Sequence, residues 1–154
     1  MSRDRVLQLA DELDRERARF MAALAAILPG GSERPVVEGW TVHDLVWHCG
    51  YWSDHGADAL ELALAGRGAE FTYDSAETDA MNASETEVGR RQDPAAVRLR
   101  EEQAHARFRA ALARVADDLL DLRLGNGDSV EAVIRYDGPD HYAEHASHLE
   151  AAAG

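Results

Sequence analysis

The sequence contains no lysine, so all 16 of its basic residues are arginines. They are outnumbered by 29 aspartates and glutamates, which gives a formal net charge of −13 at pH 7. A field of this sign repels phosphate backbones and anionic lipid surfaces. We therefore expect no nucleic-acid partner and no membrane partner, although the charge leaves open a local arginine patch.

Cysteine and long apolar runs are also scarce. The single cysteine, Cys49, cannot form an internal disulfide, and it excludes a structural zinc site built mainly on thiolates. No apolar run approaches the ~20 residues that a membrane-spanning helix needs. The N-terminal residues lack the apolar centre of a signal peptide. These absences predict a cytoplasmic protein.

Apolar residues recur at helical spacing along most of the chain, as on amphipathic helices. Thr41 and Asp44 predict a capping box at the start of the second helix, and Asp93 with Pro94 predicts the start of the third. The predicted helices span about residues 2–28, 42–66, 93–117 and 138–153. The length of 154 residues suits a single domain covering 1–154.

Two connections are harder to interpret. Residues 67–92 are polar and predict a long crossover between the second and third helices, with a short helix inside it left open. Residues 119–136 surround a turn at 125–128 and fit either a short hairpin or extensions of the flanking helices. The predicted fold class is all-α, a four-helix bundle with this crossover.

Three of the seven histidines lie in the predicted last helix. His141 and His145 are four residues apart, so their rings share one helix face and both could bind one metal ion. His48, beside the apolar stripe of the second helix, is the best third ligand. His148 is an alternative to His141, and His55 an alternative to His48. If no metal is bound, these histidines are interpreted as solvated surface residues or as residues packed in the bundle.

Residues near these histidines also have alternative roles. Asp44 either caps the second helix or orients His48, and the cap is favoured. Glu144 is either a solvated residue or a general base. Cys49 fits a buried apolar position, whereas His43 fits an exposed position or one beside the ligands. The large aromatic residues fit packing roles, and Tyr142 is close enough to the proposed site to contact a substrate.

Two sequence blocks carry a resemblance to a known superfamily. The run from Trp40 to His48, with Thr41 as the cap, resembles the second-helix signature of the DinB/YfiT superfamily. The string His141-Tyr142-Ala143-Glu144-His145 resembles its terminal H-x-x-x-H motif, especially in DfsB-type members. The Gly138-Pro139 pair departs from that pattern and predicts a break in the fourth helix.

The resemblance implies a mononuclear divalent metal site, zinc or nickel, on His48, His141 and His145. Relatives include mycothiol- or bacillithiol-dependent transferases and isomerases, and hydrolase-like resistance proteins. We therefore expect a metal-dependent hydrolase or thiol-dependent transferase or isomerase with a small-molecule substrate, among which a low-molecular-weight thiol is a candidate. The alternative is a non-catalytic binding or stress-response protein. A homodimer is also left open.

Overall fold

The computed structural model describes residues 2–154. Six α-helices are joined by short 3-10 turns and one small antiparallel hairpin. Their bounds are α1 Asp4–Ile27, α2 Val42–Leu64, α3 Thr78–Arg90, α4 Pro94–Leu112, α5 Val130–Asp137 and α6 Pro139–Ala153, with β1 Pro35–Val37 and β2 Trp40–Thr41. None of the helices in this described part of the chain combines the length and the hydrophobicity of a membrane-spanning segment.

The bundle is formed by α1, α2, α4 and α6. Helix α2 packs mainly on α4, and α1 packs mainly on α6. Their apolar faces meet in one core, in which Leu13, Phe20, Leu60, Phe108 and Leu149 are fully buried. The predicted all-α four-helix bundle is confirmed.

The start of α2 follows the predicted capping box. The Thr41 side chain accepts a hydrogen bond from the Asp44 backbone N–H, and the Asp44 carboxylate accepts one from the Thr41 N–H. Thr41 is also the last residue of β2, so the small hairpin leads directly into α2. The sequence pattern predicted this cap but not the hairpin that precedes it.

The long crossover contains a complete helix rather than a short one. Helix α3 has 13 residues and packs on α2. Gly89 allows this close approach, because a Cβ there would lie 2.4 Å from the Trp47 ring. Only Thr86 and Gly89 are buried within α3, so it has no apolar stripe that would reveal it in the sequence.

The region 119–136 combines both structures that the sequence allowed. An isolated bridge pairs Arg123 with Ser129 around the predicted turn, so the hairpin is reduced to one residue pair. Ser129 then caps α5 by accepting a hydrogen bond from the Ala132 N–H. Helix α4 ends at Leu112, earlier than predicted, and a 3-10 turn occupies Asp117–Asp121.

The predicted break in the last helix is confirmed at Gly138. Its backbone lies outside the helical region, at φ −111° and ψ −110°, and Pro139 begins α6. A Cβ on Gly138 would lie 2.4 Å from the Ile134 carbonyl oxygen, so the tight junction requires glycine. The break sets the direction of α6 and leaves His141 in its first turn.

Candidate metal centre

Three histidine rings converge between α2 and α6. The Nε2 atom of His141 lies 2.8 Å from that of His48 and 3.0 Å from that of His145. One nitrogen from each ring lies within 4.8 Å of the other two. His48 and His145 are buried, and His141 is partly buried. The structure therefore brings together the three residues that the sequence singled out; we call them the histidine cluster.

The histidine cluster has the chemistry of a ligand set for a divalent ion. Burial, followed by repulsion from the neighbouring imidazole, lowers the pKa of His48 to about 3. Burial likewise lowers the pKa of His145 to about 2, and that of His141 well below its usual value. All three rings are thus neutral near pH 7, and neutral imidazole nitrogens are good ligands for zinc and nickel.

The spacing of the nitrogens also fits an ion. Ligand bonds of about 2.0–2.1 Å at octahedral or tetrahedral angles separate neighbouring nitrogens by roughly 2.8–3.4 Å. The two Nε2 separations lie within this range before any ion draws the rings into place. Three imidazoles also leave at least one coordination position open, as in catalytic zinc sites.

Neighbouring rings hold the histidine cluster in position. The Trp40 ring packs on His48, with 4.4 Å between centroids. The Nδ1 atoms of His145 and His148 are 3.1 Å apart and share a hydrogen bond. The Nδ1 atom of His141 is buried and has no partner among the described residues.

The alternative ligands lie outside the histidine cluster. His148 contacts the far nitrogen of His145, so it supports that ring instead of joining the other three. His55 donates from Nδ1 to Asp137 Oδ2 at 2.6 Å. His43 is buried and donates to the Gly89 carbonyl at 2.7 Å, so the expectation of an exposed position was wrong.

The contacts of Asp44 and the burial of Cys49 test the roles that the sequence predicted for these two residues. Asp44 belongs to the helix cap and to an ion pair with Arg90, with 3.2 Å between Oδ1 and Nε. It makes no hydrogen bond to His48, so the cap interpretation is confirmed. Cys49 is fully buried, and burial raises the pKa of its thiol well above the usual value. It is not available as a nucleophile.

Tyr142 does not face the site. It is fully buried, shares a 2.9 Å hydrogen bond with Ser53, and packs edge-on against Phe20. The favoured packing role is therefore confirmed, and the secondary possibility of substrate contact is not supported, because the helix turns the side chain into the core.

The histidine cluster forms part of the wall of a cavity of about 940 Å³. Glu144 is exposed and also lines this cavity, so it is a solvated residue beside the cluster. Aromatic and amide side chains complete much of the wall: Trp40, Trp52, Tyr73, Asn82, Asn126 and Tyr136. The Trp52 indole N–H donates to Asn82 Oδ1 at 2.8 Å, which ties α2 to α3.

Several of these wall residues were not identified from the sequence. Tyr73, Asp128 and Tyr136 come from the two connections that were hardest to interpret. The only sequence signal was the glycine-rich turn at 125–128, which predicts a loop but does not show that this loop lies on the cavity wall. Asp137 was also missed as a wall residue: it is 2% exposed, and burial raises its pKa to about 6 against the opposing effect of His55.

Comparison with known families gives one match. The family model described as the mycothiol maleylpyruvate isomerase N-terminal domain matches residues 13–153. Comparisons with curated proteins and with solved structures found no match. The matched range contains all three members of the histidine cluster and nearly the whole bundle.

Proposed function

The chain belongs to the mycothiol maleylpyruvate isomerase N-terminal domain family, within the DinB/YfiT-like superfamily, and we propose that it is a metal-dependent enzyme that uses a small thiol. Its ligands are His48, His141 and His145, and the ion is zinc or nickel. The reaction is a thiol-dependent isomerisation or transfer on a small molecule, with mycothiol or bacillithiol as the thiol class.

The observation that carries this proposal is the position of the histidine cluster on a cavity wall. Three neutral nitrogens converge at the edge of a space of about 940 Å³, large enough for a small substrate together with part of a thiol. A structural metal site would instead be closed by a fourth protein ligand. Among the described residues, no further histidine, cysteine or carboxylate joins this cluster.

When bound, the ion supplies a Lewis acid that favours the thiolate form of a thiol or the hydroxide form of water. The protein's own contribution is to keep the three imidazoles neutral through burial. Trp40 and His148 fix the orientations of His48 and His145. Glu144 is adjacent to His145 in sequence and lines the same cavity, and we assign its carboxylate as the group that accepts a proton from an incoming thiol.

The alternative of a non-catalytic protein predicts either a site closed by packing or a small ligand bound without turnover. The cavity beside the histidine cluster argues against the first of these forms, and the turnover measurement below separates the second from an enzyme. Hydrolysis is the second catalytic candidate, because the same ion could activate water. The family match favours the thiol-dependent reaction over hydrolysis.

Cobalt substitution tests the proposal directly. The cobalt(II)-loaded protein is titrated with mycothiol, and a sulfur-to-cobalt charge-transfer band is followed in the near ultraviolet. We expect the band to appear and saturate, because the open coordination position accepts the thiolate. The S-methyl derivative of the same thiol, which cannot form a thiolate, is the matched control.

Turnover is then measured with the zinc and nickel forms. Thiol-dependent isomerisation or transfer on a panel of small electrophiles, lost in His145→Ala, would support the proposal. Thiol-independent hydrolysis would favour the second candidate. A metal-loaded protein that shows neither the band nor any thiol-dependent turnover would contradict the proposed function.

A further inference from the structure

Apart from its histidines, the described cavity wall has only negatively charged ionic side chains. Five of the residues that line it are acidic, and within the described chain no arginine is among them. The acidic residues are Glu38, Asp74, Asp128, Asp137 and Glu144. Since the sequence has no lysine, the positive charges that can face a ligand here are the proposed divalent ion at the histidine cluster and any protonated histidine. Away from that ion, such a wall disfavours an anionic group and favours a cationic one.

The partners of Asp128 leave its charge uncompensated. Its Oδ2 accepts hydrogen bonds from the Tyr136 hydroxyl and the Asn126 amide, both at 3.0 Å. Both donors are neutral, so they hold the carboxylate in place without cancelling its charge. Asp128 is half-buried on the wall, where a charged partner would be less screened than on an open surface.

Aromatic rings lie beside this carboxylate. The centroid of the Tyr73 ring lies 5.5 Å from that of Trp52 and 6.2 Å from that of Tyr136. All three residues line the cavity. The faces of such rings attract ammonium groups, and quaternary ammonium ligands are recognised by groups of aromatic rings in this way.

We propose that this cavity takes a substrate carrying an organic cation, a primary to quaternary ammonium group, which binds against Tyr73, Tyr136 and Asp128. This inference rests on the proposed function, because it names the substrate class of the same site. It departs from the dicarboxylate chemistry in the family's name, since an anionic substrate would find only the metal ion to attract it, against five carboxylates and no guanidinium.

Choline and its uncharged isostere 3,3-dimethylbutan-1-ol are suitable probes. The purified metal-loaded protein is titrated with each probe at low ionic strength, and the methyl signal is followed by NMR. We expect choline to bind about tenfold more tightly, because only the cation interacts with the rings and the carboxylate. Raising the salt concentration should weaken choline binding and leave the isostere unchanged.

Two single substitutions test whether the preference for choline arises from Asp128 in the cavity. Asp128→Asn keeps an oxygen that can accept from Tyr136 but removes the charge, so choline binding should weaken several-fold. Asp118→Asn removes the same charge from an exposed residue outside the cavity and should have no effect. Metal content, measured on each sample, reports separately on the proposed function.

The outcomes are distinct. Preference for choline, reduced by Asp128→Asn but not by Asp118→Asn, supports the cation site whether or not thiol turnover is found. Equal binding of the two probes to the unmodified protein overturns it without any variant. Equal effects of the two substitutions also overturn it, because the preference would then reflect only the net charge.

Discussion

At the residue scale, the histidines separate according to their contacts. His48, His141 and His145 point their nitrogens at one another, whereas His43 and His55 are each bonded to another group. Spacing within one helix identified the pair His141 and His145, because residues four apart share a face. The position of His48 relative to that pair depends on how α2 packs near α6, which the resemblance supplied and spacing could not.

Replacing Asp44 tests whether this residue stabilises the start of α2 or supports the metal ligand His48. Asp44→Ala removes the capping box and the ion pair with Arg90, so we expect a loss of about 1–2 kcal/mol in the free energy of unfolding. The metal content should not change, because Asp44 does not contact His48. Urea denaturation and elemental analysis measure the two effects.

Asp93→Ala is the matched control for Asp44→Ala. Asp93 also precedes a helix, but its side chain makes no capping hydrogen bond. Its replacement should therefore cost less than about 0.5 kcal/mol. Loss of metal in Asp44→Ala without loss of stability would instead assign Asp44 to the metal site.

His105 gives a pH-dependent prediction. Burial, assisted by the nearby Arg17, lowers its pKa to about 4 from an ordinary value near 6.5. Between these values the unfolded chain binds more protons than the folded chain, so acidification through this window lowers stability. We expect His105→Asn to lose less stability than the unmodified protein between pH 7 and pH 4.5.

Urea denaturation at several pH values measures this difference. Both proteins keep the same carboxylates and the same histidine cluster, so the difference between their pH curves isolates His105. Parallel curves across the window would contradict the depressed pKa of this residue.

At the element scale, the junction between α5 and α6 controls the orientation of the ligand helix. Gly138→Ala would place a Cβ 2.4 Å from the Ile134 carbonyl and 3.1 Å from the Phe108 ring. We expect a loss of about 1–3 kcal/mol in stability together with weaker metal binding, because α6 must shift. Thermal unfolding and a metal-competition titration check both.

Gly30→Ala is the control for Gly138→Ala. Its Cβ would meet only the flexible Arg34 side chain, at 3.2 Å or more, so the stability change should be small and metal binding unchanged. Unaltered metal affinity in Gly138→Ala would show that the junction does not position His141.

The sequence predicted some of the helices more clearly than others. Helices α2 and α4 carry clear starts, at Thr41 and at Pro94, and their apolar residues face the core. Helix α3 was left open as a short helix within the crossover and its bounds could not be predicted, because it buries only a threonine and a glycine. Helix α5 is only eight residues long and follows a turn, so its pattern also suited a hairpin flank.

At the scale of the whole molecule, the bundle was predictable and the cavity was not. The first three long helices follow from helical periodicity, because each must bury an apolar stripe against the others, whereas the last was predicted from its start at Gly138-Pro139. The cavity walls include Tyr73, Asn82 and Asp128, which lie in segments that connect those helices. Their positions depend on tertiary packing, which the local sequence pattern does not specify. The homodimer and the single-domain assignment stay predictions.

The most direct measurement is the metal content of the purified protein beside three variants. After loading with zinc or nickel and removal of free ion, the unmodified protein and His148→Ala should each hold about one ion per chain. His48→Ala and His145→Ala should lose it, because each removes one of the three converging nitrogens. Full metal content in both of those variants, or no metal in the unmodified protein, would contradict the three-histidine site.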